Sequence, residues 1–449
     1  MRRRADAWDR FAASSVPTES EEVWRYSGID RFDLGAYAPA VADDAGSAAA
    51  VSAARDLAAA LGPRAALVVT RNGHIEAVDV SPTAPADGLS VAGARAALTG
   101  GRGISVSETD AFGILSPGGD AFGALHDAFL DDVVLVRVAR KTTVQEPVVI
   151  VHLVDAAVPG AAGLSAFPRT FIELGTSAEA GVVELFVPAA VPAGARPAGG
   201  EAEALSRPVL VIPVTEIDVA DDARLRYANL QVLDAASTCI ATQASRVGRD
   251  ANLRSFTAGL GGAYARVRTD SDLVGQAGST ALLAAYLGTG DQVHDFRTLQ
   301  DHHAPRTESE LLFKGAVADA ARSVYSGMIR IRKGAKGSDA RQTNHNLVLS
   351  EGAHADSVPN LDIDENDVRC SHASTVGPID EEQRYYLETR GIEPAVAERL
   401  VVQGFFSDLA GRAPFPGVGR WVEAAVGLRL AGRLPAQRAA AGTEEASHG

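Results

Sequence analysis

The chain has 449 residues, 46% of them hydrophobic and 22% charged, and its 42 basic against 57 acidic side chains give a net charge of −15 at pH 7. This length allows about three globular domains, and the apolar fraction excludes a chain that is disordered throughout. Because so acidic a surface repels phosphate backbones, the composition also disfavours nucleic-acid binding.

Cysteine content and apolar run length indicate the compartment. Cys239 and Cys370 are the only cysteines, too few for a disulfide framework. Apolar runs such as 133–136 and 148–151 have only four residues each, whereas a membrane-spanning helix needs about 20. The first residues also lack the unbroken apolar stretch of an export signal. We therefore expect a cytoplasmic protein with no membrane-inserted segment.

Residues 1–130 have the composition of an N-terminal helical domain with loops. Ser47 is a suitable N-cap for a helix over 48–61, and Gly62 and Pro63 follow where such a helix would end.

Residues 131–375 are instead rich in short segments of Val, Ile, Leu and aromatic residues, separated by Gly, Asp and Asn, which predicts strands. Residues 188–200 are mostly Ala, Gly and Pro and predict a mobile loop. The pattern of residues 222–226 recurs at 250–254. Short strands without interleaved helices and with such a recurrence favour a parallel β-helix. A β-sandwich remains the alternative on this pattern.

Residues 376–434 predict a C-terminal helical domain. Asp380 and Gln383 form a capping-box arrangement, and Gly391 ends the first helix. A second helix begins near Pro394 and ends before Gly411. Its apolar positions recur at helical spacing and are Val396, Leu400, Val401, Phe405 and Leu409. The composition of residues 435–449 predicts a disordered tail.

Several kinds of catalytic chemistry have no motif in this chain. It has no phosphate-binding Gly-x-x-x-x-Gly-Lys-Ser/Thr loop, so we expect it to bind no ATP itself, and it has no Gly-x-Ser-x-Gly or His-Glu-x-x-His. The run Asp301, His302, His303 suggests a metal site. Neighbouring residues on an extended chain face opposite ways, however, so a structural, hydrogen-bonding role is favoured.

The most informative stretch contains Cys370 and His372. On an extended strand these two residues share one face and lie about 7 Å apart. A thiolate and an imidazole both bind iron well, yet a four-iron cluster takes about four ligands, so any cluster here needs donors from another chain. The residues alone favour the plainer alternative, in which Cys370 is a small buried residue and His372 a hydrogen-bonded strand residue.

An extended set of motifs resembles the SufB/SufD scaffold proteins of the SUF iron-sulfur cluster assembly system, and specifically the SufD branch. The motifs lie at residues 24–26, 146–148, 227–231, 288–292, 303–305, 314–315, 319–327, 342–347, 355–359, 366–377, 386–387 and 390–391. They cover roughly residues 140–410 in order.

The resemblance implies a mainly β fold with flanking α, namely a right-handed parallel β-helix core between N- and C-terminal helical domains. It implies a non-enzymatic scaffold that pairs with SufB through the β-helix and docks the SufC ATPase, which hydrolyses the ATP, on the C-terminal helices. Cys370 and His372 become candidate ligands for iron or a transient iron-sulfur cluster shared with SufB. The candidate SufC-docking residues are Tyr385, Tyr386, Arg390 and Phe405.

Two alternatives to this assignment are kept. A SufB-like paralogue that builds the cluster itself is weakened because Cys239, predicted to lie in a core strand, is the only thiol besides Cys370. A carbohydrate-active β-helix enzyme is permitted by the strand pattern but needs carboxylates converging on one groove, whereas the acidic residues here are scattered over turns.

Overall fold

The computed structural model describes residues 2–41, 47–94, 120–156, 163–189 and 207–432. The predicted tail at 435–449 and the predicted loop at 188–200, from residue 190 onward, lie outside these ranges. The described helices are α1 (Arg2–Ala13), α2 (Ser47–Leu61), α3 (Ala121–Phe129), α4 (Glu381–Thr389), α5 (Pro394–Gly411) and α6 (Pro416–Gly432). None of them is both long and apolar enough to cross a lipid bilayer.

The strands occupy most of the remaining described chain. They are β1 (Tyr37–Pro39), β2 (Ala66–Arg71), β3 (His74–Val80), β4 (Leu89–Gly93), β5 (Val134–Val138), β6 (Val148–Val154), β7 (Gly163–Ala166), β8 (Arg169–Leu174), β9 (Glu179–Pro188), β10 (Val209–Val211), β11 (Val214–Val219), β12 (Arg224–Gln231), β13 (Ser237–Val247), β14 (Asn252–Gly259), β15 (Tyr264–Leu273), β16 (Ser279–Gly288), β17 (Val293–His302), β18 (Glu308–Val317), β19 (Arg322–Ile331), β20 (Asp339–Val348), β21 (His354–Ile363) and β22 (Arg369–Gly377).

From β11 to β22, successive strands alternate between two sheets. One sheet runs in the order β21-β19-β17-β15-β13-β11-β8-β5-β4, and the other in the order β22-β20-β18-β16-β14-β12-β9-β6-β2-β3. From β5 to β22 every neighbouring pair along these two orders is parallel. The predicted parallel β-helix with terminal helices is therefore confirmed, and the β-sandwich, which is built from antiparallel sheets, is wrong.

The sequence recurrence corresponds to one turn of this solenoid. Arg224 of β12 pairs with Asn252 of β14, so the repeated segments 222–226 and 250–254 lie in register on successive turns. The corner before each of these strands contains an aspartate in the left-handed region, Asp222 at φ 59° and Asp250 at φ 55°. Asp tolerates this conformation better than most residues with a Cβ. The repeated aspartates therefore mark equivalent corners of stacked turns.

The N-terminal region differs from the predicted helices and loops. Helix α2 begins and ends where its cap and Gly62 indicate, but β2, β3 and β4 also lie within residues 1–130 and join the two solenoid sheets. All six residues of β2 are buried, because β2 pairs with β6 inside the sheet. A short apolar run without alternation is equally compatible with a helix or a buried strand, which is why this strand was missed.

The C-terminal helices form part of the core. Phe406 of α5 and Trp421 of α6 belong to the same buried cluster as Leu185, Leu230 and Leu283, from strands of the ten-stranded sheet. The helix pair predicted after residue 376 is therefore accompanied by a third helix, α6, and the three-helix unit covers one outer face of the solenoid.

A polar network fixes the first turns of the solenoid interior. The carboxylate of Glu184 is fully buried and accepts hydrogen bonds from the hydroxyls of Thr170, Thr215 and Tyr227, while His152 Nε2 lies 3.1 Å from Glu184 Oε1. Burial raises the pKa of Glu184, but the hydrogen bond and charge of His152, with the hydroxyl donors, outweigh it and hold this pKa below its ordinary value. Glu184 is therefore an ionised group that ties neighbouring strands together.

Candidate functional site

The solenoid is open at its C-terminal end. β21 and β22 are the last strands of their sheets. Their inward-facing apolar side chains are exposed, Leu361 to 37%, Ile363 to 42% and Val376 to 45%, whereas Ile329, the partner of Leu361 one turn earlier, is fully buried. Unpaired edge strands and an uncovered core end are features that proteins normally protect. We call this surface, formed by β21 and β22, the open end.

Cys370 and His372 both lie at the open end. On β22 they pair with Ala340 and Gln342 of β20, both of which are buried in the solenoid interior. Their side chains therefore point to the same side of the strand and continue the interior columns of the preceding turn. Cys370 is half-buried and packs beside Ala340 in a small apolar cluster, whereas His372 is exposed.

The surroundings of Cys370 keep its sulfur protonated. Burial, with a smaller contribution from the negative charge of Asp339, raises the pKa of the Cys370 thiol. The thiolate is the form that binds metals and attacks sulfur. A cation bound at the open end would offset both effects and favour the thiolate.

Asp339→Asn is expected to accelerate alkylation of Cys370 at pH 8 by about twofold to fivefold, because removal of a nearby negative charge lowers the pKa of the thiol. Mass spectrometry after timed iodoacetamide treatment measures the rate. Cys239 is an internal control, since it is buried in β13, as predicted, and burial raises its pKa to about 12. An unchanged rate would contradict an electrostatic effect of Asp339.

Cys370 and His372 do not form a complete metal site by themselves. In the described part of the chain, no further His, Cys, Asp or Glu joins them to make a group of three close ligand atoms. Iron and iron-sulfur clusters are held by thiolates and imidazoles, so the residue types fit such cargo, but their number does not suffice. Any metal bound by this pair would need further donors from outside the described residues.

As expected for an extended strand, the side chains of Asp301 and His302 point to opposite sides. His302 points inward, where its two ring nitrogens lie 2.7 Å from Thr307 Oγ1 and 2.8 Å from Ser309 Oγ. Asp301 points outward and accepts two hydrogen bonds from Arg332, at 2.8 and 2.7 Å. Hydrogen bonding thus accounts for both residues.

His303 lies beside Asp272, a proximity that the sequence did not predict. Its Nε2 is 3.6 Å from Asp272 Oδ1 and 3.4 Å from Asp301 Oδ1, so three potential ligand atoms come together. Asp272 and Asp301 are directly paired on β15 and β17, one solenoid turn apart. The recurrence of the 222–226 pattern gives the approximate length of a turn, but it does not fix the register that pairs these two aspartates. Arg332 pairs with Asp301, so one of the two carboxylates is already neutralised.

Two of the four candidate docking residues, Tyr386 and Phe405, line a groove between α4 and α5. The groove has a volume of about 810 Å³ and is lined mainly by Tyr386, Leu400, Val401 and Phe405. Tyr385 and Tyr386 are exposed to 68% and 57%. We call this surface the helical groove.

Arg390 and Phe405 contribute to the helical groove in different ways. The Arg390 guanidinium lies 5.1 Å from the centroid of the Tyr386 ring, so it supports an exposed aromatic side chain. Phe405 is half-buried between Phe406 and Lys314, whose Nζ lies 5.0 Å from the centroid of its ring. Lys314 Nζ also donates to the Phe405 carbonyl at 3.1 Å and pairs with Asp408 at 2.8 Å, which fastens α5 to the solenoid.

Helix α5 has two apolar faces. Its buried residues are Ala397, Val402, Phe406, Leu409 and Ala410. Of the apolar series identified in the sequence, only Leu409 belongs to this buried face, while Leu400, Val401 and Phe405 line the groove. Exposed aromatic and aliphatic side chains beside a groove are typical of protein-binding surfaces.

These features define a class of protein, a parallel β-solenoid whose uncovered last turn carries a cysteine and a histidine on the same side of one strand. Comparison with known proteins identifies the family. Residues 157–405 match the family model described as SUF system FeS cluster assembly, SufBD core domain. The chain belongs to the SufBD family of the SUF iron-sulfur cluster assembly system, which confirms the resemblance found in its motifs.

Individual relatives agree with this assignment. The iron-sulfur cluster assembly protein SufD of Escherichia coli is 30% identical over 316 residues, 70% of each chain. A SufBD family protein of Mycobacterium tuberculosis is 39% identical over 218 residues, 46% of this chain and 55% of the relative. SufD of Bacillus subtilis is 31% identical over 206 residues, 46% of this chain and 47% of the relative. The chain thus spans about half the length of the last two relatives.

Proposed function

We propose that this chain is a scaffold subunit of the SUF complex that pairs with SufB through the open end. The single observation that carries the proposal is that the last solenoid turn combines uncovered core residues with an incomplete pair of iron ligands. A second solenoid docked on β21 and β22 would cover Leu361, Ile363 and Val376. It would also bring further donors to Cys370 and His372.

In this role the iron-sulfur cluster is cargo. Cys370 donates a thiolate and His372 an imidazole nitrogen to iron or to the cluster under construction, and SufB supplies the remaining ligands. The raised pKa of the Cys370 thiol supports a site that becomes a strong ligand only when a cation arrives. The chain itself then holds the cluster transiently.

The helical groove is the proposed docking site for SufC. ATP hydrolysis takes place in SufC, and α5 passes the motion to the solenoid through Lys314 and the shared apolar cluster. Because α5 and α6 form part of that cluster, their deletion would damage the solenoid. Point substitutions on the exposed face of α4 are the appropriate test.

The double substitution Tyr385→Ala, Tyr386→Ala is expected to weaken SufC binding at least about tenfold, since exposed tyrosines are frequent energetic centres of interfaces. The affinity is measured between the purified chain and SufC without SufB, so that SufC retained through SufB does not interfere. Leu428→Ala, an exposed leucine on α6, is the control. Undiminished SufC affinity of the tyrosine variant would contradict docking at the helical groove.

Leu361→Asp is expected to abolish copurification with tagged SufB, because it places a charge on the apolar end of the core. Val80→Asp is the matched control, since Val80 is similarly accessible on β3 at the opposite end of the ten-stranded sheet. Both variants are tested for SufC binding to establish that they are folded. Retention of SufB by Leu361→Asp would overturn pairing through the open end.

A further inference from the structure

Gln342 is a buried amide without a partner. The residue is 1% exposed, and neither its amide nitrogen nor its amide oxygen forms a hydrogen bond with any described residue. A buried polar group in this state costs about 1–3 kcal/mol, and such groups are rare in folded proteins. Both amide atoms are therefore available for a hydrogen bond to a neighbouring group.

The column to which Gln342 belongs makes the glutamine unexpected. In successive turns of the ten-stranded sheet this inward position is occupied by Leu282, Leu311, Gln342 and His372. The two leucines are buried and belong to an apolar cluster. A leucine at position 342 would continue the apolar column and leave no amide without a hydrogen bond. The glutamine directly beneath His372 therefore makes the protein less stable than a leucine would.

The opposite wall of the interior accommodates the amide. Gly327 of β19 lies across from Gln342, and a Cβ added to it would come within 2.7 Å of Gln342 Nε2. The absence of a side chain at position 327 thus leaves the space that the amide occupies. Gln342 therefore fills a preformed position at the floor of the open end.

His372 lacks the partner that a metal-binding histidine normally has. A histidine that binds a metal through one ring nitrogen almost always donates the N–H of the other to a carboxylate, a carbonyl or water. Within the described residues the imidazole of His372 forms no hydrogen bond. The nearest turn below it is about 4.8 Å away, and there the amide oxygen of Gln342 is the uncommitted acceptor on the same column.

We propose that Gln342 is a positioning residue for His372. When the His372 imidazole lies over the open end and one ring nitrogen binds iron, the amide oxygen of Gln342 accepts a hydrogen bond from the N–H of the other ring nitrogen. This contact fixes the tautomer and orientation of the imidazole. The inference rests on the proposed function, because it takes His372 as a ligand.

The test uses Co²⁺ as a probe of the full-length chain in its purified complex with SufB, which supplies the remaining donors. The Co²⁺–thiolate absorption that disappears in Cys370→Ala gives the affinity of the site, and Gln342→Leu is expected to weaken that affinity by about 10–100-fold. Its melting temperature is expected to equal or exceed that of the wild type, because leucine removes the unsatisfied amide. With Zn²⁺ bound, the ¹⁵N resonance of the free ring N–H of His372 is expected to shift in this variant.

Gln243→Leu is the matched control. Gln243 is also a buried amide of the solenoid interior, but it is hydrogen-bonded to Ser255 at 3.1 and 3.3 Å, several turns from the open end. Its replacement is expected to lower the melting temperature, because Ser255 loses its partner, and to leave Co²⁺ affinity unchanged.

His372→Ala separates the two proposals. If Cys370→Ala retains the full thiolate band, or if His372→Ala binds Co²⁺ as the unsubstituted complex does, the proposed ligand pair is wrong and the inference falls with it. If His372→Ala weakens binding but Gln342→Leu changes neither the affinity nor the ¹⁵N resonance, only the role of Gln342 is overturned. Equal losses in Gln342→Leu and Gln243→Leu would also overturn it.

Discussion

His372→Ala is expected to reduce cluster formation about tenfold or more in a complex reconstituted with SufB and SufC, as measured by the growth of iron-sulfur absorption. The loss follows from the proposed function, in which His372 is one of two donors on the described part of the chain. The His372 side chain is exposed and forms no hydrogen bond among the described residues, so folding and pairing should be nearly unchanged.

Ser371→Ala is the control for this experiment. Ser371 precedes His372 on β22, is also exposed and faces the opposite side of the strand. It should retain full cluster formation. A wild-type yield from His372→Ala, with SufB and SufC still bound, would leave His372 without a role in assembly.

Glu184→Leu is expected to destabilise the protein by about 3–5 kcal/mol, the usual cost of removing one partner from a buried ionic network. Leucine leaves the hydroxyls of Thr170, Thr215 and Tyr227 without their acceptor and His152 without its carboxylate. Urea unfolding followed by circular dichroism measures the effect.

The pH dependence of the same variant gives a second measurement. Because the pKa of Glu184 is held below its ordinary value, the stabilisation is complete above the pKa of an unfolded glutamate and is lost as pH falls through the lower folded value. This part of the acid destabilisation should be absent from Glu184→Leu. Glu173→Gln, at a half-exposed surface ion pair with Arg137, should cost less than about 1 kcal/mol. Equal stability of Glu184→Leu and wild type would contradict the network's importance.

Local sequence signals predicted those parts of the fold that depend on neighbouring residues. The helix start predicted from Ser47 lies within one residue of the observed start of α2, and the Gly62-Pro63 stop matches its end. The recurring aspartates at 222 and 250 indicated one turn of the solenoid, and the alternation of side chains placed Cys370 and His372 on one side of β22. The SufBD family was identified from ordered motifs and is confirmed.

Features that depend on strand register could not be predicted in this way. The proximity of Asp272 to Asp301, and the position of Gln342 beneath His372, follow from pairing between turns whose lengths vary slightly. The buried face of α5 was also hidden, because apolar residues occur on both sides of that helix. β2 was missed because its burial comes from neighbouring strands rather than from its own pattern.

Because the turns of the solenoid stack on one another, the stability effects of substitutions in distant turns should combine independently. In a stacked array each turn contacts only the turns directly above and below it, so only those neighbours affect its stability. The Glu184 layer and the His372 layer are separated by the intervening strands β12, β14, β16, β18 and β20. Their effects should therefore be additive, with a coupling energy within about 0.5 kcal/mol in a double-mutant cycle. Damage near the first layers would thus lower the amount of folded protein while leaving the chemistry at the far end intact in every molecule that remains folded.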